Sequence, residues 1–198
     1  MPDDPATSPP RRYRLRRKLL VLMGASFEIT DGRGELTGWC RQKAFKLRED
    51  FRFYADRGQE RELFRIRARS VLDFGATYDV MLPDGAVLGG LRRGALTSLV
   101  RDSWTVLGPD GSVIAGLRED SGAAAFLRRV LPLASLLMNQ GYELREAGSD
   151  RCIARLTSRR SLLAYVLDIE ILEEHALIDD LIVLACACLL ASIEGKQE

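Results

Sequence analysis

The sequence predicts a mainly β protein (β+α), a closed antiparallel barrel of about twelve strands around a central hydrophobic C-terminal helix. Short runs of alternating polar and apolar residues, separated by turn signals, fill most of the chain. Residues 181–193 (LIVLACACLLASI) form a charge-free segment that is apolar in every helical direction. A helix of this kind has to be enclosed, and a barrel of about eleven strands has room for one.

Turn signals divide the strand-like runs into hairpins. Asp31-Gly32, Asp84-Gly85 and Asp110-Gly111 each separate two such runs, and residues 147–150 (AGSD) form a weaker example. Glycine at these positions supplies the positive φ that a tight hairpin turn needs. In residues 65–69 and 167–171, polar side chains alternate with apolar ones, which is typical of an antiparallel sheet with one buried face.

Two helices are predicted beside the strands. The first covers residues 121–130 and ends before Pro132. The second starts near residues 174–176, because Glu173, Glu174, Asp179 and Asp180 crowd its first turns, and it stops at Gly195. Its charge-free part is about 20 Å long, whereas a bilayer core needs roughly 20 apolar residues. We therefore expect a core helix and not a membrane anchor.

The chain is expected to form one domain over residues 13–195, preceded by a disordered Pro- and Asp-rich tail at 1–12. The start of the sequence has no apolar signal-peptide core, and its four cysteines form no C-x-x-C pair. These features favour a cytoplasmic protein with reduced thiols, located in part at the inner face of the membrane if it binds lipid.

Charge is distributed unevenly along the sequence. Residues 11–69 contain 17 Lys/Arg and eight Asp/Glu, whereas residues 161–198 contain one Lys and eight Asp/Glu. A basic half suggests an anionic partner. In the alternative interpretation, the two halves neutralise each other across the folded surface.

The order of the segments resembles a known family. Residues 14–23, 27–39, 43–56, 68–80, 88–93 and 98–106, with the hydrophobic helix last, resemble the tubby C-terminal-like superfamily across residues 13–195. Within it, the likeness is greatest to the LURP-one-related and phospholipid-scramblase branch. The resemblance implies a twelve-stranded barrel around a central C-terminal helix. It also implies phosphoinositide binding through basic surface residues, as in tubby-like proteins, although the resemblance does not place that site.

Scramblases carry an acidic calcium-binding segment before the last helix. Here Asp168 and Glu170 alternate with apolar residues as outward strand positions and do not form the oxygen cluster that calcium prefers. The single histidine, His175, is interpreted as a solvent-touching residue at the helix start. The sequence has no nucleophile elbow or Walker loop. We therefore expect no enzyme activity, no cofactor and no metal site.

The candidate ligand-binding residues form three basic rows on strand faces. They are Arg65, Arg67 and Arg69; Arg41 and Lys43; and Arg14, Arg16 and Lys18. If the strands are neighbours, the rows form a patch for phosphate groups, which arginine binds bidentately. Alternatively, these residues cover a solvated barrel exterior and pair with Asp56, Glu60 or Glu62. Aromatic residues do not interleave the rows, so no nucleic-acid partner is expected.

Two functions are compatible with these features. The first is a non-enzymatic, peripheral binder of anionic lipid headgroups, such as an anionic membrane surface or a phosphoinositide-like ligand, or of another phosphorylated ligand. The second is a protein-interaction or regulatory module with no lipid role. Its protein partner would contact the apolar residues 130–138 (VLPLASLLM). The sequence does not fix the oligomeric state.

Overall fold

A computed structural model describes residues 10–18, 24–43, 51–69, 77–94, 103–119, 140–161 and 164–194. Twelve antiparallel strands follow one another around a closed barrel, and β12 closes it by pairing with β1. This confirms the predicted fold class. The predicted helix at 121–130 and the apolar residues 130–138 lie outside the described ranges. The strands are β1 Arg11–Lys18, β2 Gly24–Asp31, β3 Leu36–Lys43, β4 Phe51–Tyr54, β5 Glu62–Ala68, β6 Thr77–Met81, β7 Val87–Arg93, β8 Ser103–Leu107, β9 Val113–Glu119, β10 Gln140–Glu146, β11 Cys152–Ser161 and β12 Ala164–Ile171.

Alternating side chains separate the core from the outer wall. On β12, Leu167, Ile169 and Ile171 are buried, while Asp168 and Glu170 point outward. On β5, Phe64 and Ile66 are fully buried, while Arg65 and Arg67 point outward. Because side chains alternate between the two faces of a strand, each strand supplies one row to the core and one to the exterior.

The hairpin turns form where the turn signals predict them. Gly85, Gly111 and Gly148 have φ values of 91°, 84° and 78°. In the first hairpin the positive φ lies at Gly34 and not at Gly32. The reason is that Gly34 occupies the turn position of Gly85, since its N–H donates to the carbonyl of Asp31 as that of Gly85 does to the carbonyl of Leu82.

The helix, α1, covers Asp180–Glu194 and fills the barrel. Residues 182–192 are at most 6% exposed, as expected for an enclosed helix. Four phenylalanines of β2, β4 and β5 pack nearby in the core, and the rings of Phe53 and Phe64 stack at 4.7 Å. Within the described residues, no helix has the length and hydrophobicity that a membrane crossing requires.

The predicted start of the helix near residues 174–176 is wrong. Asp179 caps the helix, since its Oδ1 accepts a hydrogen bond of 2.8 Å from the backbone N–H of Leu181. The preceding residues form a turn in which the N–H of Ile178 donates to the carbonyl of His175. The acidic residues at 173 and 174 therefore lie before this turn and not in the first helical turn.

Candidate anion-binding face

The three predicted basic rows lie on alternate strands of one wall. Arg14, Arg16 and Lys18 are on β1, Arg41 and Lys43 on β3, and Arg65 and Arg67 on β5, with Arg69 directly after it. The strands β2 and β4 separate them, so the rows are not direct neighbours. Whether they form one surface therefore depends on the outward residues of β2 and β4.

Strand β4 contributes a basic residue that sequence reasoning missed. Arg52 is exposed between the buried Phe51 and Phe53 and is directly opposite Arg65 on β5. Trp39 pairs with Tyr54, and continuing this antiparallel register by two residues places position 41 opposite position 52. The alternation Phe-Arg-Phe in this short strand was the signal available in the sequence.

Four basic residues consequently share one register level. Lys18 is opposite Ser26 on β2, and Ser26 is opposite Arg41 on β3. We call Lys18, Arg41, Arg52 and Arg65 the basic row. The basic row extends from β1 to β5, and the uncharged Ser26 of β2 lies between Lys18 and Arg41.

The opposite side of the barrel has a different charge order. On β9, β10, β11, β12 and β1, paired outward residues alternate in sign: Arg118, Glu143, Arg155, Glu170 and Arg12. Glu143 accepts a hydrogen bond of 3.2 Å from Arg155 Nε, and Glu170 accepts one of 3.0 Å from Arg12 Nε. Opposite charges facing each other across strands stabilise a sheet, so the part of this row from Glu143 to Arg12 is neutralised internally. Arg118, at the end of the row, has no ion pair among the described residues.

Some candidate residues already have carboxylate partners. Arg14 contacts Asp168 at 2.6 Å, Lys18 contacts Glu28 at 3.3 Å, Arg65 contacts Glu62 at 2.7 Å and Arg69 contacts Asp79 at 2.7 Å. The pairing of Arg65 with Glu62 matches the alternative interpretation of a solvated exterior. In contrast, Arg16 and Arg41 have no ion-pair partner among the described residues.

Asp168 pairs with arginines on both sides of its strand. It contacts both Arg14 and Arg159. Burial raises the pKa of this carboxyl, but the hydrogen bonds and charges of the two arginines outweigh burial, so the pKa lies below its ordinary value. These arginines are engaged within the protein and are less available for a ligand than those without partners.

Arg17 faces the interior, between the outward Arg16 and Lys18 of the same strand. Its side chain is 6% exposed, its Nη1 donates to the carbonyl of Ala191 at 3.2 Å, and its guanidinium carbon lies 5.8 Å from the centre of the Phe27 ring. Burial lowers its pKa. Because α1 has no basic residue in its last turn, Arg17 supplies the positive charge that the helix C-terminus favours.

His175 lies in the turn before α1, so its predicted place at the helix start is wrong, whereas its partial exposure agrees with the predicted contact with solvent. Its Nδ1 accepts a hydrogen bond of 3.1 Å from the backbone N–H of Leu177, and its Nε2 lies 3.1 Å from Oε1 of Glu146. The neutral ring therefore carries its proton on Nε2 and donates it to Glu146. In the described part of the chain, no three His, Cys, Asp or Glu side chains are arranged to hold a metal ion.

Two surface grooves lie away from the basic row. One of about 640 Å³ lies over β8 to β10, and its lining includes Arg118, Glu143 and Arg145. The other, of about 470 Å³, lies over β12, β1 and the first hairpin turn. Both are lined by acidic as well as basic side chains, so neither has the one-sided charge of the basic row.

Comparison with known proteins gives a likeness of fold. No protein-family model matches the sequence, and no curated protein matches it. The crystal structure of the Arabidopsis thaliana protein AT5G01750 is similar, with a TM-score of 0.53 and 13% sequence identity over 96% of each chain. At this identity the likeness supports a shared barrel architecture over nearly the full length of both proteins.

Proposed function

We propose that this chain is a non-enzymatic tubby-like barrel that binds anionic lipid headgroups, or another phosphorylated ligand, through its basic outer face. The observation that carries the proposal is the basic row, in which residues of the same charge face each other across neighbouring strands. The other candidate residues on β1, β3 and β5 flank this row.

Like charges at this spacing need an explanation. Neighbouring strands are about 4.8 Å apart, and like charges directly opposite each other destabilise a sheet. The alternating row across β9 to β1 shows that the same barrel neutralises its exterior elsewhere. Glu28 and Glu62 pair with Lys18 and Arg65 at the two ends of the row. A phosphate group bound at Arg41, in the middle of the row, would relieve the remaining repulsion, because an arginine can donate two parallel hydrogen bonds to one phosphate.

Membership of the tubby C-terminal-like superfamily, in its LURP-one-related and scramblase branch, is part of the proposal. Twelve sequential antiparallel strands closed around a C-terminal helix are consistent with it. Asp168 and Glu170 bind arginines of β1, which favours a peripheral binder over a calcium-triggered scramblase. We place such a binder in the cytoplasm, at the inner face of the membrane.

Vesicle co-sedimentation tests the proposal. The wild-type chain should bind phosphatidylcholine vesicles that contain phosphatidylserine, bind pure phosphatidylcholine weakly, and dissociate as salt rises, because salt screens exposed charges. Arg41→Glu/Arg52→Glu should weaken binding by about 2–4 kcal/mol, at least roughly 30-fold, since each basic residue near an anionic surface contributes about 1 kcal/mol.

The matched control is Arg33→Glu/Arg61→Glu, which makes the same charge change at exposed arginines in two turns. This control should bind vesicles as the wild type does. Inositol hexakisphosphate serves as the probe for a free phosphorylated ligand, and its binding without vesicle binding would assign the face to a soluble ligand. If the wild type binds neither vesicles nor this probe, the proposal is wrong and the protein-interaction function takes its place.

A further inference from the structure

The charge of the barrel is polarised along its axis. We call the end where α1 finishes the basic end. Each of the twelve strands either begins or finishes at this end. The two terminal residues of each strand here include nine basic residues and one acidic residue, Glu119. The basic ones are Arg17, Lys18, Lys43, Arg52, Arg67, Arg92, Arg93, Arg118 and Arg160.

The other end, where α1 begins, has the opposite charge. Its connecting segments are residues 32–35, 55–61, 82–86, 108–112, 147–151 and 172–179, and they contain nine acidic and four basic residues. The two terminal residues of each strand at this end add four acidic and three basic residues. Asp180 follows directly as the first helical residue. Strands of seven or eight residues, tilted in a barrel, separate the two ends by roughly 20 Å.

The positive charge surrounds the basic end and is not confined to the wall of the basic row. Arg118 is on β9, six strands around the barrel from β3, and Arg92 is on β7. Both side chains are exposed, and neither has an ion-pair partner among the described residues. A barrel of twelve strands is roughly 24 Å across, so one small phosphorylated ligand cannot contact the basic row and Arg118 together.

We infer that the barrel meets an anionic membrane surface end-on, with the basic end toward the lipid headgroups and the acidic end pointing away. This inference rests on the proposed function and names its partner as an extended surface. A flat bilayer can contact strand ends on opposite walls at once. The surface potential of a membrane decays over a Debye length of about 8 Å at physiological salt, so the acidic end, farther away, escapes its repulsion.

Contact through the side of the barrel would have a different consequence. A bilayer along the wall of β1 to β5 would also approach the turns of these strands, in which four acidic residues outnumber three basic ones, Arg33, Arg57 and Arg61. It would leave Arg92 and Arg118 far from the lipid. The two orientations therefore differ in whether these two arginines contribute to binding.

The test compares three double variants of the full chain on phosphatidylserine-containing vesicles. Arg92→Glu/Arg118→Glu changes the far wall of the basic end, Arg41→Glu/Arg52→Glu changes the basic row, and Arg33→Glu/Arg61→Glu changes the acidic end. End-on contact predicts that the first two each weaken binding by at least roughly 30-fold, while the third leaves it unchanged. If the glutamate variant of the far wall folds poorly, Arg92→Gln/Arg118→Gln replaces it in the test, because it adds no carboxylate beside Glu143. This variant should also weaken binding clearly, although by less than the charge reversal.

Two results would overturn the inference. If the far-wall variants, folded as judged by their melting temperature, bind like the wild type while the basic-row variant loses binding, the proposed function stands and the contact is side-on. If the wild type does not bind these vesicles at all, the end-on contact and the lipid function are both wrong.

Discussion

Gly89 allows α1 to pack against the barrel wall, and a single methyl group at this position should destabilise the protein. It lies on β7 in the buried face. A Cβ atom built there would lie 2.6 Å from the carbonyl oxygen of Leu107 and 3.2 Å from Cδ1 of Ile182 on the helix. The isoleucine methyl group can move, but the backbone oxygen belongs to the neighbouring strand and cannot move alone.

The expected cost of Gly89→Ala follows from these contacts. Inserting a methylene into a packed core typically costs about 1–3 kcal/mol. Restriction of the unfolded chain by alanine offsets about 0.4–1 kcal/mol of this cost. A net loss of about 1–2 kcal/mol in the free energy of unfolding corresponds to a melting temperature lowered by roughly 2–8 °C for a chain of this size.

Gly116→Ala is the matched control, since it adds the same atom to another strand of the same barrel. Its Cβ would meet the nearest atoms at 3.9 and 4.0 Å, which is ordinary van der Waals contact. We expect this variant to be unchanged or stabilised by up to about 1 kcal/mol. Urea unfolding followed by circular dichroism measures both changes. Equal stability of Gly89→Ala and the wild type would refute the close packing of β7 against β8 and α1.

Two further predictions concern thiols and carboxylates. In the native protein only Cys152, which is partly exposed, should react with a thiol reagent, whereas all four cysteines should react in denaturant. Burial raises the pKa of all four thiols, but only Cys40, Cys186 and Cys188 are buried enough to exclude the reagent. Burial raises the pKa of Glu143, but the hydrogen bonds from Arg145 and Arg155 lower it by more than burial raises it. The pKa in the folded protein therefore lies below the unfolded value of about 4.3. Its stabilising contribution is thus complete above that value and is lost as pH falls through the folded pKa. The wild type should be more stable than Glu143→Gln at pH 7, and urea unfolding should show the gap closing in acid; a gap that is constant with pH would contradict this.

The fold could be predicted because two independent features of the sequence require the same architecture. Hairpin signals and alternation indicated about a dozen strands, and residues 181–193 required an enclosure. The start of the helix was missed because acidic residues favour both turns and first helical turns. Asp179, two residues before the apolar run, carried the capping signal that locates the boundary.

The site was harder to predict, because a surface patch depends on register and not only on residue type. The three basic rows could be read from alternation, but their distances could not, since one residue of slippage moves a side chain to the other face of the sheet. Arg52 was missed because β4 is only four residues long. In β1, basic residues occupy both faces, so composition alone did not separate the buried Arg17 from its exposed neighbours.

Arg17 also shows why total charge is a poor guide to the binding face. The acidic end surrounds the N-terminus of α1 and the basic end surrounds its C-terminus. This arrangement complements the helix dipole. Part of the positive charge at the basic end therefore stabilises the C-terminus of α1 and does not need a ligand to explain it. Arg17 has that role, because it binds the Ala191 carbonyl inside the core. Arg41 and Arg118 are exposed and have no carboxylate partner in the described ranges. Loss of binding on changing Arg17 would therefore report on the stability of the helix, whereas loss of binding on changing Arg41 or Arg118 would report on contact with an anion.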